Sequence, residues 1–187
     1  MPHPFRLNTM VSMLAAGALL PAARAADTQP LIDVVVVSAS RIEHTSFGLP
    51  AAIDVVDSAR IRDGQMRVNA SEALAAVPGL VAQNRGNYAQ DLQISSRGFG
   101  ARSAFGVRGV RLVSDGIPAS VPDGQGQPSA FNLDRAERIE VLRGPFSAIY
   151  GNHSGGVIQL FTHDGKGRPT LGVDLAAGSD GARKADI

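Results

Sequence analysis

Apolar and polar positions alternate most clearly over residues 139–162. Ile139 and Val141 flank Glu140, and Ile158 and Leu160 flank Gln159, the period-two pattern of half-buried strands. Between the two runs, Arg143-Gly144-Pro145 breaks the first, and Pro145 suits the first turn of a helix. Residues 146–150 then make about one and a half turns, which Gly151 ends. Gly155-Gly156 permits a tight turn into the second run. The predicted order is strand, turn, short helix, glycine turn, strand.

Upstream, the same reading predicts a strand over 51–56 and a short helix with Ser58 as its expected cap, ending near Gly64. Asn69-Ala70-Ser71-Glu72 resembles a capping box, for a helix running through Leu74 to about Val77, where Pro78-Gly79 stops it. Residues 80–83 and 92–96 read as strands, with an exposed loop over 84–91 between them. A glycine-rich loop follows over 98–106, then an extended run over 107–114 and a hairpin-type turn at Asp115-Gly116. Residues 118–128 are turn-rich. Residues 132–138 are expected to form a short helix presenting Asp134, Arg135 and Glu137 to solvent. The fold class is therefore α+β: a small mixed sheet of four or five short strands with two or three short helices, spanning 51–163.

After a hydrophilic linker over 163–169, residues 170–176 alternate again. That pattern suits a strand of a membrane barrel and equally any half-buried strand. Residues 26–50 lack helical periodicity and contain Pro30, Gly48 and Pro50, so they read as an extended arm. Within it, Asp33-Val34-Val35-Val36-Val37-Ser38-Ala39 strongly favours an extended backbone, as a buried strand or as an exposed edge ready to pair.

The N-terminus changes the picture. Arg6, the short apolar run over 10–20 and the A-x-A pattern at Ala23-Arg24-Ala25 predict an export signal over 1–25. Its apolar run is shorter than the roughly 20 residues of a spanning helix. Removing it takes Arg6 and Arg24 from the 18 basic residues and nothing from the 17 acidic ones, so the exported chain is near neutral at −1. Such balance, with aromatics at only 5 %, argues against a nucleic-acid partner. The absence of cysteine excludes disulfides and thiolate-bound metal.

The run Ile139-Glu140-Val141-Leu142-Arg143-Gly144-Pro145, with Ala148-Ile149-Tyr150-Gly151 and Gly155-Gly156-Val157-Ile158, resembles the last block of the plug domain of TonB-dependent outer-membrane receptors. Further blocks similar to that family stand upstream in order: Val77-Pro78-Gly79-Leu80, Ile94-Ser95-Ser96-Arg97-Gly98-Phe99-Gly100 and Val113-Ser114-Asp115-Gly116-Ile117-Pro118. The resemblance runs from about residue 33 to 162. It implies outer-membrane localisation, ligand gating for a metal chelate such as a ferric siderophore, and no enzymatic activity or cofactor. It also implies that Asp33, Val34, Val35, Val36, Val37, Ser38 and Ala39 form the TonB box, which adds as a strand to TonB. Valine stands where such boxes often begin with threonine. Only seven residues separate the expected cleavage site from Asp33, so a transport role is expected over transcriptional signalling.

By the same resemblance, Arg97 and Arg143 are expected contacts to an enclosing barrel wall, although solvated surface charge is the ordinary role of such arginines. Arg85, Tyr88, Arg102 and Phe105 are the candidate ligand-binding residues, in loops that could equally serve only for turning. A plugged barrel has about 22 strands of roughly 9–11 residues, whereas 25 residues follow Thr162. The expectation is a fragment or truncated frame whose C-terminal barrel is missing, with 164–187 as a linker and a candidate first barrel strand. The rival is a free-standing periplasmic binding module of plug fold. Other chemistry is poorly supported. Gly98-x-Gly100-x-x-Ser103 lacks the third glycine of a dinucleotide fingerprint, and the sequence has no P-loop. The run around Ser154 lacks GxSxG spacing, and His153 with His163 is not a recognised metal-ligand pair.

Overall fold

The computed structural model describes residues 36–37, 44–45, 52–87, 90–104, 106–144, 147–151, 153–169 and 171–187. The expected export signal, most of the arm, Tyr88 and Phe105 lie outside the described residues. In chain order the strands are β1 (Val36–Val37), β2 (His44–Thr45), β3 (Ala52–Asp57), β4 (Leu80–Gln83), β5 (Gln93–Ser96), β6 (Arg111–Ser114), β7 (Ile117–Pro118), β8 (Ala136–Arg143), β9 (Val157–Thr162), β10 (Asp174–Ala177) and β11 (Arg183–Asp186). The helices are α1 (Ser58–Arg62), α2 (Ala70–Leu74) and α3 (Ser147–Tyr150).

The mixed sheet runs β3-β8-β9-β6-β7. Here β8 is antiparallel to both β3 and β9, while β6 lies parallel to β9. Two-stranded antiparallel pairs β4–β5, β1–β2 and β10–β11 accompany it. On one sheet face Ile139, Val141, Ile158, Leu160 and Leu112 pack into a core with Ile61, Leu74, Ile94, Val107, Phe131 and Leu133. Burying each such side chain contributes about 1.5–3 kcal/mol.

The alternation of β8 and β9 predicted half-buried strands, and the structure corrects this. Glu140 is 0 % exposed and Gln159 only 5 %. Leu142, Val157 and Val113, joined by Ile53 and Tyr150, form a second small core on the opposite face. The polar residues there are buried with partners. The Arg138 Nε donates to Glu140 at 2.9 Å, and its guanidinium stacks 4.0 Å from the Phe161 ring centre. Gln159 Nε2 donates to the Tyr150 hydroxyl at 2.6 Å. Buried polar groups cost little once paired in this way.

Other boundaries moved for local reasons. The cap of α1 is Asp57, one residue before the expected Ser58. Still extended at the end of β3, its carboxylate accepts the Arg60 N–H at 2.8 Å. Helix α2 starts after Asn69 as expected, with Glu72 reaching back to the Asn69 N–H at 2.9 Å, but it closes at Leu74 and continues only as a turn to Val77. The helix expected over 132–138 is absent. Asn132 Oδ1 accepts the Arg135 N–H at 3.3 Å in a single turn, and Ala136 already pairs with Thr162 in the sheet. Sheet pairing outcompetes a helix this short. Asp134 is correspondingly drawn inward, its side chain 19 % exposed. Of the extended run 107–114, only Arg111–Ser114 is a strand, and Val107 makes an isolated bridge to Gly126.

The turn into β9 has the tightest backbone approach. At Gly156, φ is +119°, and a Cβ would fall on the Leu142 carbonyl oxygen. Gly64 has φ +67° but open space around it. Replacing Gly156 by Ala is therefore expected to cost more than about 3 kcal/mol, and Gly64→Ala about 1 kcal/mol. Urea midpoints of the purified variants check the difference; equal losses would mean that the close approach at Gly156 is not a constraint.

Candidate functional site

Strands β6 and β9 both begin at one end of the sheet, and the linker after Thr162 leaves from the other. The glycine-rich loop joins the first end, where the Gly155 N–H donates to the Gly109 carbonyl at 2.9 Å. Three loops are laced together around it. Arg85 reaches across from the 84–91 loop to the Ala104 carbonyl at 2.8 Å. Gln93 Nε2 donates to the carbonyls of Ala101 at 2.7 Å and Ser103 at 3.1 Å. Arg108 pairs with Asp123 at 2.8 Å, tying in the turn-rich 118–128 segment. Asp123 is held below the usual carboxylate range by the Gln125 N–H first and Arg108 second, against an opposing push from desolvation. It stays ionised to hold Arg108.

Of the four candidate ligand residues, Tyr88 and Phe105 lie outside the described residues. The structure brings the loops of the other two together, since Arg85 binds the loop that carries Arg102. Arg102 is exposed, and its side chain has no partner among the described residues. It borders an open hollow of about 460 Å³ with Phe99, Arg108 and the glycines at 98, 100 and 109. Phe99, 48 % exposed, adds an aromatic ring to this hollow that the sequence reading did not single out. Its signal was an apolar ring set between two glycines, where packing into a core is hard to arrange.

The two Arg-Gly corners differ. Arg143 donates to the Pro78 carbonyl at 2.8 Å and contacts the Asp54 carboxylate at 2.5 Å, its side chain 18 % exposed. It cross-links β8 to β3 and to the turn before β4. Arg97 instead sits at φ +50°, with its N–H on the Gly79 carbonyl at 3.2 Å. Its exposed guanidinium has no partner among the described residues. Of the expected TonB box, Val36 and Val37 are described, paired antiparallel with Thr45 and His44; its other residues lie outside the described residues.

Among the described residues, no three metal-ligating side chains converge. Burial first, and Arg111 second, push the His153 imidazole below the ordinary histidine value. His163 lies apart from it, 3.3 Å from the Arg62 guanidinium. What this end of the sheet presents is a laced, cationic, partly aromatic loop surface. The TonB-dependent receptor plug domain model matches residues 45–157. The chain is 31 % identical over 176 residues to a vitamin B12 transporter BtuB of Photobacterium profundum, covering 93 % of this chain and 28 % of that protein. It is 28 % identical over 156 residues to the BtuB of Vibrio vulnificus, covering 83 % and 25 %. The structure of P. aeruginosa FpvA bound to a heterologous pyoverdine shares the fold, at TM-score 0.57 and 21 % identity over 80 % of this chain and 19 % of that one. The chain belongs to the TonB-dependent receptor plug domain family. It spans about a quarter of the length of the curated relatives it matches.

Two outcomes follow from this geometry. Arg143→Ala is expected to lower stability by about 2–3 kcal/mol, reduced from a fully buried pair by partial exposure, while Arg97→Ala stays within about 0.5 kcal/mol. Equal effects in urea unfolding would remove the distinction between the corners. For His153, the lowered folded value means that its protonation opposes folding. Stability is intact above about pH 6.5 and falls as pH drops through that unfolded value toward the folded one. His153→Gln should flatten this part of the acid limb, read as urea midpoints between about pH 7.5 and 5.5.

Proposed function

We propose that the chain is the ligand-gating plug region of a TonB-dependent outer-membrane receptor that takes up a metal chelate. The observation that carries the ligand side is the laced loop surface, where Arg102 and Phe99 stand exposed beside Arg108. Cationic and aromatic groups held stiffly together suit an anionic chelate such as a ferric siderophore. The curated relatives, named as transporters of vitamin B12, itself a metal chelate, support the broader class. Arg85 braces the surface, and Tyr88 and Phe105 belong to the same loops. In this reading residues 1–25 direct export, residues 33–39 form the TonB box, and no chemical bond is made or broken. Arg97, whose side chain has no partner among the described residues, is the better placed of the two corners to meet an enclosing wall. The run over 170–176 begins that wall, and its Leu171, Val173 and Leu175, each two residues apart, are 83 %, 63 % and 79 % exposed. That apolar face suits lipid better than the water around a free periplasmic module. A closed barrel is required to cross lipid, so the chain alone carries nothing across a liposome.

The reading is tested at the arm. A peptide of residues 30–45 should bind the periplasmic domain of TonB by strand addition. Backbone N–H groups of an added strand point alternately toward and away from the partner. One of Val35→Pro and Val36→Pro should therefore weaken binding at least about tenfold. If neither does, measured by titration calorimetry, residues 33–39 are not the box.

A further inference from the structure

The sequence treats everything after residue 163 as linker and strand, yet the structure ties this segment back to the domain body through charges. In the β10–β11 hairpin, Ala176 pairs with Lys184 and Asp174 with Asp186, which places these four on one face. Leu175, Ala177, Arg183 and Ala185 form the other. The first face meets the body. Lys184 Nζ donates to both carboxylate oxygens of Asp134 at 2.6 Å and approaches the Arg67 carbonyl at 3.4 Å. Arg67 Nε lies 3.1 Å from Asp134 as an ion pair without hydrogen-bond alignment, and a terminal nitrogen lies 3.6 Å from Asp174. Two cations and two anions thus alternate across the junction. Three of the four side chains are largely buried, at 7 % exposure for Arg67, 19 % for Asp134 and 18 % for Lys184.

The body invests local structure in aiming Arg67. This residue is non-glycine yet left-handed, at φ +58°. It is held there by Glu72, whose carboxylate accepts the N–H groups of Arg67, Val68 and Asn69 at 2.8, 2.9 and 2.9 Å. The sequence reading credited Glu72 only with capping α2. The turn that misses being a helix at 132–138 serves the same junction, because it carries Asp134. Beside the charges, Gly178 lies so close to Met66 that a Cβ would stand 3.0 Å from its sulfur.

We propose that Arg67 and Asp134 form a charged socket for the β10–β11 hairpin, which seats Lys184 and Asp174 and thereby decides which hairpin face turns outward. A buried ionic group is best suited to fixing registry, because removing one member leaves its partners unpaired in a poorly solvated place. A one-residue slip in β10 or β11 would present Leu175 or Ala185 to the socket and turn the charged side chains out. The socket acts within this chain and stands whether or not the chain gates a chelate.

Hydrogen exchange of the full chain, followed by mass spectrometry, tests it. A two-stranded hairpin is marginal by itself in water, so an undocked hairpin loses protection. In Asp134→Asn and in Lys184→Met, amides of residues 174–186 should exchange at least about tenfold faster, while β8 and β9 keep theirs. Raising NaCl from about 0.05 to 1 M should speed hairpin exchange in the unaltered chain more than in either variant, each of which keeps only the longer Arg67–Asp174 pair across the junction. Should Asp134→Asn also loosen β8 and β9, Lys184→Met decides, because that side chain belongs to the hairpin. Unchanged hairpin exchange in Lys184→Met overturns the proposal. So does unchanged hairpin exchange in Asp134→Asn, which would assign the docking to apolar packing around Met66.

Discussion

The ladder between β8 and β9, covered on both faces, is the constraint on which the rest of the domain depends. One face carries the helices and the β4–β5 pair, the other carries α3. A strand pair with no wet face must satisfy its polar side chains internally. Arg138 does so for Glu140, and the Tyr150 hydroxyl receives the Gln159 amide. The turn between the strands must also be small enough to lie against the ladder, which is why Gly156 passes beneath the Leu142 carbonyl. The same turn binds the Gly109 carbonyl, so the glycine-rich loop is positioned by the centre of the sheet.

Charge is distributed by position relative to that ladder. Near its closed end, Arg143 is consumed as an internal staple between β3, β8 and the turn before β4. On the adjoining loops, Arg85 and Arg108 stiffen the surface by binding a carbonyl and a carboxylate, leaving Arg102 outward. Beyond the opposite end, Arg67, Asp134, Lys184 and Asp174 join the hairpin to the body. Residues of one type thus do three different jobs. Their surroundings, rather than their identity, separate the arginines tied into the structure from those left exposed.

Side-chain hydrogen bonds and one exposed ion pair lace the three loops to one another, whereas largely buried ion pairs join the hairpin to the body. The curated relatives that share this domain are much longer chains.

Much was written in the local pattern. Period-two alternation marked β3, β8 and β9, the Asn69–Glu72 spacing marked the start of α2, and paired glycines marked the loop and the turn into β9, because each is a short-range property of the backbone. The order of the Arg-Gly and glycine blocks likewise pointed to the family. The tertiary structure alone decided what covers each element. Only the tertiary packing shows that Glu140 and Gln159 are buried, the first paired with Arg138 and the second with Tyr150 of α3. Sheet pairing at Ala136 turned an expected helix into a turn, and the partners of Arg143 and Arg67 come from 65 and 67 residues or more away. Strand β11 likewise exists because β10 and the charged socket hold it. Periodicity records which way a side chain points; what waits there depends on the rest of the chain.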